Sequence, residues 1–374
     1  MTTLQKALVI GGGIGGMAAT LELRRRGVEV DLIDLDPHWR VYGAGITLTG
    51  PTLRAFRQLG IFQAVAESGY TGHGIQICDV DGRPLRVLPT PMPPEAAVPG
   101  SGGILRPILH AILSERVRAS GARIRLGITI ESLQQTTHAV QARCTDGHED
   151  AYELVVGADG LFSGTRRLLF PDAPTPQYTG QCIWRTTVPR PPSIERRHYF
   201  LGGPCKVGLS PVSRSEMYLF LLETIAHKRS LPDEQLAEQL RQLLGAYGGI
   251  LAQIRRALTV DARIVLRPLE AFQLPAPWYL GRVVLIGDAA HPTTPQLASG
   301  AGMAVEDALV LGEVLQACPS VPEALQLFMR RRYERCQLVV NNSLEIGRRE
   351  QAGAPVAAQT ELVEQSLRAL AAPI

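Results

Sequence analysis

The sequence predicts an α/β fold: a parallel sheet with crossover helices, interleaved with an antiparallel sheet and followed by a C-terminal helical segment. Three observations carry this prediction. Short apolar runs at residues 6–10, 154–158 and 282–286 have the pattern of strands buried on both faces. Between residues 178 and 222 the chain breaks into short strands separated by proline and glycine turns. Beyond residue 302 the apolar spacing is helical. At 374 residues, and about 150 per domain, two domains are expected.

Taken in order, residues 6–10 (KALVI) read as a strand that runs into the glycine cluster 11–16. Residues 17–26 read as a helix, closed by Arg24, Arg25 and Arg26 before Gly27, a usual C-terminal punctuation. Residues 28–35 form a second strand, completing one βαβ unit. Residues 84–103 are rich in proline and glycine and read as a mobile connection. Residues 105–119 carry Ile108, Leu109, Ile112, Leu113 and Val117 at helical spacing, and 122–156 read as several strands. Short strands are expected at 182–188, 198–201, 206–209 and 217–222, then helix over 232–258 and an extended stretch at 263–269. A buried strand returns at 282–286, and helices are expected at 302–315 and 322–348. The organisation is therefore discontinuous. Residues 1–70, 101–177 and 275–320 build the parallel layer, 71–100 and 178–274 the antiparallel one, and 321–374 the C-terminal segment.

Composition narrows the function. Hydrophobic residues at 45% and charged residues at 20% are ordinary for a globular chain. A net charge of +3 with only three lysines (Lys6, Lys206, Lys228) leaves no polybasic run for nucleic acid or a membrane surface. The six cysteines are scattered without C-x-x-C or zinc-ligand spacing, so free thiols and no metal site are expected. With no room for a signal peptide before the first strand, a cytoplasmic protein is expected, monomeric or homodimeric.

Gly11-Gly12-Gly13-Ile14-Gly15-Gly16 satisfies G-x-G-x-x-G between a strand and a helix, the Rossmann-type dinucleotide fingerprint. Gly11 permits the turn, Gly13 lets backbone approach a pyrophosphate, and Gly16 allows helix–strand packing. The phosphates then face a helix N-terminus, where free N–H groups and the dipole favour an anion. Asp34, 23 residues after Gly11, stands where a carboxylate binds ribose hydroxyls. FAD and NAD both satisfy this motif.

Of three Asp-Gly pairs, Asp81-Gly82 and Asp146-Gly147 suit type I′ hairpin turns. Asp159-Gly160 instead ends an apolar strand and precedes a helix near Ser163, the place where ligands bind open α/β sheets. The same pattern recurs at Gly287-Asp288. A carboxylate there suits a polyol hydroxyl, and FAD has a ribityl chain where NAD has none. Pro295 and the run Ala298-Ser299-Gly300-Ala301-Gly302 then open a helix carrying Glu306 and Asp307. Bare N–H groups at such a helix start stabilise negative charge on a reduced flavin.

Together, Gly11–Gly16, Asp159-Gly160 and Gly287-Asp288 with His291-Pro292 and Glu306-Asp307 resemble the class A FAD-dependent aromatic monooxygenases, the family of p-hydroxybenzoate, salicylate and 6-hydroxynicotinate hydroxylases. The resemblance spans nearly the whole chain. It implies that Gly11, Gly13, Ile14, Gly15 and Gly16 hold the FAD pyrophosphate and Asp34 the adenosine ribose. It places Gly45 near the flavin, Arg106 on FAD, Asp159 and Gly160 at a position linked to both FAD and NAD(P)H, and Gly287 and Asp288 at the ribityl chain. Pro295, Gly300, Ala301 and Gly302 would line the isoalloxazine. Asp34 stands where glutamate is commoner, and Ala298 replaces a frequent glycine.

The implied reaction consumes NADH or NADPH and O2 and hydroxylates a small aromatic or heteroaromatic substrate through a flavin C4a-hydroperoxide. The flavin performs the hard chemistry, so no protein nucleophile is required. A flavin reductase or dehydrogenase that incorporates no oxygen is the alternative, and a non-catalytic dinucleotide-binding protein a third. The W-x-W-x-I-P signature of the related halogenases is absent, the tryptophans being Trp39, Trp184 and Trp278.

Among candidate side chains, Trp184, Arg185, Tyr199, Phe200, Tyr218 and Phe220 sit on the expected antiparallel strands, where aromatics most often pack in the core. Arg185 suits a two-pronged bond to a carboxylate or phenolate, against a plain salt bridge. His291 beside the flavin loop is a candidate proton shuttle, against a structural histidine. His110 is expected to pack, and Arg214 and the cluster Arg330-Arg331-Arg332 to be solvated.

Overall fold

The computed structural model describes residues 4–41, 43–93 and 95–374. Its first sheet has six strands, in the order Tyr279–Leu280, Val283–Leu285, Leu154–Gly157, Lys6–Ile10, Glu29–Asp34 and Arg123–Leu126. All pairs are parallel except Tyr279–Leu280 with Val283–Leu285. The chain order reverses at Lys6–Ile10, so a crevice opens between its C-terminal end and that of Leu154–Gly157. Crevices of this kind are where open α/β sheets take their ligands.

The apolar runs are buried on both faces, as their composition requires. Ala7, Val9, Leu154 and Val156 join a core with the helices Ile14–Arg25, Arg106–Ala119 and Gly300–Ala317. The alternate residues Leu8, Ile10, Val155 and Val283 meet a different neighbour. It is a small antiparallel sheet of Glu149–Tyr152, Val140–Cys144 and Ile130–Gln135, through Val140, Ala142, Cys144 and Tyr152.

A seven-stranded sheet forms the other half, in the order Val265–Ala271, Gln177–Pro189, Glu216–Thr224, Lys206–Pro211, Arg197–Phe200, Ile75–Cys78 and Pro84–Leu88. It is antiparallel but for the pair Arg197–Phe200 and Ile75–Cys78. Side-chain alternation divides its residues. Trp184, Phe200, Leu219 and Leu221 pack beneath the helices Asp233–Leu243 and Gly249–Ala257. Ile183, Tyr199, Tyr218, Phe220 and Leu222 face the opposite way, toward Leu297 and the C-terminal helices.

The long helix Val321–Gln351 spans both halves: Val321, Leu325 and Phe328 enter the first core, while Ile346 enters the core under the large sheet. The last helix, Val356–Leu370, adds Val363 and Leu367 there.

The structure corrects three expectations. Residues 84–103 are not a mere connection, because Pro84–Leu88 is the edge strand of the large sheet. Ser101–Leu105 is also a strand, between Gly45–Thr49 and Tyr70–Gly72. Four of the five residues Pro84–Leu88 are exposed, so no buried face left a pattern to read. The turns at Asp81-Gly82 and Asp146-Gly147 are hairpins but not type I′. Only the glycines have positive φ (84° and 82°), and each glycine N–H bonds back three residues, to Asp79 and Cys144, as in a type I turn with a glycine bulge. Finally, the three arginines are not one solvated face. Arg330 is exposed, but Arg332 is fully buried and Arg331 pairs with Glu313 at 2.8 Å.

Candidate active site

The glycine loop is shaped by close contacts. Gly11 has φ +102°, and a Cβ there would lie 2.4 Å from the Ala158 carbonyl oxygen of the neighbouring strand end. A Cβ on Gly16 would come 1.8 Å from the Gly11 oxygen, so helix and strand pack at a distance only glycine allows. Gly13 differs: a Cβ there would meet nothing within 4 Å. It is the N-cap of helix Ile14–Arg25 and opens on empty space, without a side-chain cap. The first N–H groups of that helix therefore remain free for an external acceptor.

Asp34 sits behind this loop. Its Oδ2 accepts the Gly12 N–H at 2.6 Å and its Oδ1 the Asp36 N–H at 2.8 Å. Trp39 closes the other side, donating Nε1–H to the Gly12 oxygen at 2.8 Å and meeting His110 edge-on at 5.5 Å. The sequence gives no signal for Trp39, which follows a turn and itself has φ 47°.

Asp159 turns inward on its own loop. It accepts from Ser163 Oγ at 2.5 Å and from the N–H and hydroxyl of Thr165 at 2.9 Å each, fixing the start of helix Gly164–Leu169. Gly160, with Ala158, lines the cavity described next; Asp159 does not.

A cavity of about 370 Å³ lies between the two sheets. One wall is the parallel-sheet side: Gly13, Ile14, Gly15, Gly160, Gly287 and Asp288, with Pro295, Gly300 and Ala301 from the loop and helix beyond. The facing wall is the large sheet: Ile183, Arg185, Tyr199, Tyr218, Phe220 and Leu269. Gly45 and Arg106 also line it. A Cβ on Gly45 would lie 2.5 Å from Tyr218 Cβ, so contact with the sheet wall explains that glycine. Gly302 lies outside the cavity wall, its bare Cα facing Thr52 Oγ1, 2.3 Å from a hypothetical Cβ. Trp184 and Phe200 point to the far side of the sheet, Trp184 donating to Glu223 at 2.8 Å. Val41, Ile46, Thr47 and Thr293 line the cavity without any sequence signal.

The charges in the cavity are poorly satisfied. Asp288 opens into it while protein surrounds the cavity, and this burial raises its carboxyl pKa despite the opposing pull of His291 and Arg106. Burial and the like charge of Arg185 lower the pKa of Arg106. Among the described residues, no group accepts a hydrogen bond from the side chain of Arg106 or Arg185, and both Nε atoms are buried without a partner. Tyr199 is held below the usual phenol range. Burial would raise it, but Arg197, which donates to its oxygen at 3.2 Å, and Lys206 prevail.

Behind the cavity the charges are fully paired. Asp307, on the helix Gly300–Ala317, accepts the Gly287 N–H at 2.9 Å and Arg332 Nε–H at 2.7 Å, and lies 2.7 Å from His291 Nε2. Glu306 binds Arg332 at 2.8 Å and Arg335 at 2.7 Å. His291 is thus a buried, paired imidazole outside the cavity wall. Burial opposes its charge, yet Cys336 and Asp307 raise its pKa well above the usual value. His291, Asp307 and Cys336 bring ligand atoms within 4.8 Å of one another, as a metal site would. The Arg332 guanidinium, 3.5 Å from Cys336 Sγ and 2.7 Å from Asp307, already supplies the positive charge.

Ala298 ends the turn Pro295–Leu297 in the left-handed region, at φ 51° and ψ 32°. A side chain there costs roughly 1–2 kcal/mol, which explains why glycine suits the position.

These features fit FAD. The free helix N-terminus with open space at Gly13 suits a pyrophosphate, Asp288 in the cavity suits a polyol, and the bare start of helix Gly300–Ala317 suits an electron-rich ring edge. Comparison with known proteins agrees. The family described as FAD binding domain matches residues 5–343. The chain is 30% identical over 354 residues to the putative FAD-dependent monooxygenase YetM of Bacillus subtilis, covering 94% of this chain and 95% of that one. It is 33% identical to 2-heptyl-3-hydroxy-4(1H)-quinolone synthase of Pseudomonas aeruginosa, covering 93% and 90%. The crystal structure of Klebsiella pneumoniae HpxO with FAD and uric acid superposes with a TM-score of 0.83 at 23% identity, over 99% and 94% of the two chains, which shows a shared fold. The chain belongs to the FAD-dependent monooxygenases, and FAD is its cofactor.

Proposed function

We propose that this protein hydroxylates a small aromatic or heteroaromatic compound at the expense of NAD(P)H and O2. The observation that carries this reading is the two-sided cavity, with dinucleotide loops on one wall and the aromatic face of the large sheet on the other. FAD, once bound, would supply the redox chemistry that links NAD(P)H oxidation to oxygen transfer.

The chain's own residues bind, orient and exclude water. The N–H groups at the start of Ile14–Arg25 receive the pyrophosphate, with Asp34 behind them for the ribose. Asp288 would accept from the ribityl chain, and Arg106 would add positive charge near the flavin. The N-terminus of helix Gly300–Ala317, with Pro295 before it, lines the cavity where it would hold the isoalloxazine and stabilise negative charge on it. Tyr199, Tyr218 and Phe220 form a tight aromatic wall, with ring centroids 5.7–5.8 Å apart, against which a planar substrate stacks out of contact with water. Asp159, bonded into its own loop, holds the strand-to-helix turn beside Gly160, where a transient nicotinamide would approach.

Oxygen uptake with NADH or NADPH, with and without a panel of aromatic acids, phenols and pyridines, tests the reading. Uptake stimulated by an aromatic that itself gains oxygen is expected. NAD(P)H oxidation without incorporation of oxygen would make the protein a reductase instead. Asp288→Ala is expected to lower the FAD content of purified protein.

A further inference from the structure

We propose that Trp39 is a positioning residue for the cofactor: by holding the Gly12 carbonyl it aims the Gly13 N–H at the FAD pyrophosphate. This rests on the placement of the pyrophosphate at the glycine loop and is independent of the substrate. Gly11, Gly12 and Gly13 are consecutive, and glycine loses more backbone freedom on ordering than any other residue. Such a run lets a phosphate approach, yet it does not by itself keep one conformation. The structure supplies the hold at Gly12. Its N–H donates to Asp34 Oδ2 at 2.6 Å, and its carbonyl accepts Trp39 Nε1–H at 2.8 Å.

The second bond decides a direction. In a planar trans peptide the carbonyl and the following N–H point opposite ways. With the Gly12 carbonyl turned to Trp39, the Gly13 N–H is turned away from it. Among the described residues nothing accepts that N–H. Gly13 opens on the cavity, where a Cβ would meet nothing within 4 Å.

Gly12 carries the imprint of this contact. Neighbouring backbone demands glycine at 11 and 16, but the three atoms nearest a Cβ on Gly12 all belong to the Trp39 side chain, the closest being Nε1 at 2.2 Å. The G-x-G-x-x-G pattern leaves this position free, so glycine here answers to the tryptophan. Trp39 is itself held in place. It is buried, its φ of 47° is one that bulky residues rarely adopt, and its N–H donates to the Asp36 carbonyl at 3.1 Å. Helix Arg106–Ala119 fixes the ring, with the Arg118 guanidinium 5.1 Å over it and His110 edge-on. A strained residue held this firmly marks a geometric demand. The demand here is preorganisation: a loop already set binds its ligand without the cost of ordering it.

The test uses FAD-free protein and two probes, FAD and ADP, the second carrying the adenosine and pyrophosphate without the flavin. Dissociation constants come from equilibrium dialysis for FAD and from competition for ADP, with folding of each variant checked by circular dichroism. Trp39→Phe keeps an aromatic ring beside Arg118 and His110 and loses the Nε1–H. It is expected to weaken FAD and ADP by a similar factor, about tenfold, and to leave the midpoint potential of bound flavin unmoved. Gly12→Ala should weaken FAD about tenfold with Trp39 present, and no more than about threefold further in Trp39→Leu, where the clash is gone. Weakening of FAD without weakening of ADP, or a Gly12→Ala loss that multiplies in full in Trp39→Leu, would overturn the positioning role. If ADP competes with FAD but Trp39→Phe binds both as the unmodified protein does, the pyrophosphate placement stands and the role of Trp39 falls. If ADP does not compete with FAD even in the unmodified protein, both fall.

Discussion

Two sets of charge, one buried and one half-buried on the wall, flank the same cavity, and the protein treats them in opposite ways. Behind the cavity, Glu306, Asp307, Arg332, Arg335 and His291 form a closed group in which every charge has a partner within 2.9 Å. Arg54 joins it from Gly50–Leu59, binding Glu306 at 3.4 Å and the Ala371 and Ala372 carbonyls at 2.9 and 3.0 Å. On the cavity wall, Arg106 and Arg185 have no such partner among the described residues. The first set locks the Gly287 turn, the helix Gly300–Ala317 and the C-terminal helices together. The second is left open, where a ligand can complete it. Burial of charge alone does not tell a structural device from a binding device; the presence or absence of a counterion does.

The closed set predicts the largest effect. Removing Asp307 strands His291 in the interior and leaves Arg332 only Glu306 as a carboxylate partner, and breaking a buried pair costs about 3–5 kcal/mol. Urea unfolding of Asp307→Ala should show a loss of that size; a change under about 1 kcal/mol would dissolve the distinction between the two sets. The same group sets an acid limit. Burial would raise the Asp307 carboxyl, but His291 and Arg332 outweigh it and hold the pKa below the ordinary 3.8. A carboxyl lowered on folding contributes stability that is complete above its unfolded value and is lost as pH falls through the folded one. Stability of the native chain should therefore decline as pH falls below about 4, at up to about 1.4 kcal/mol per pH unit from this group, and less steeply in Asp307→Asn.

Legibility from sequence follows the same division. The parallel layer was readable because backbone geometry demands its residues: at Gly11 and Gly16 a single added carbon would strike a neighbouring carbonyl. The strands at 6–10 and 154–157 were readable because both faces are buried. That Asp288 and the start of helix Gly300–Ala317 belong to a ligand-accessible edge was an expectation from their place after a buried strand, and both line the cavity. What could not be read depends on contacts distant in the chain. Arg332 looks like its exposed neighbour Arg330 until Glu306 and Asp307, 25–26 residues earlier, are brought against it. Pro84–Leu88 is an exposed edge strand without alternation. Of six sequence candidates on the large sheet, strand alternation sends Arg185, Tyr199, Tyr218 and Phe220 to the cavity and Trp184 and Phe200 away. Consecutive buried residues, such as Met217–Leu222, hide that period because both faces are covered.

The open set predicts the smallest effect on folding, and this sharpens the comparison most. Removing one member of a closed pair orphans the other, whereas removing Arg185 orphans nothing. Arg185→Gln should therefore shift the unfolding free energy of FAD-free protein by no more than about 1 kcal/mol, and in either direction, since a like charge near Arg106 is removed with it. Denaturant curves at neutral pH check this beside Asp307→Ala. A loss of about 3 kcal/mol in Arg185→Gln would mean that the chain itself supplies the missing counterion. The wall would then be a second structural cluster, closed like the first.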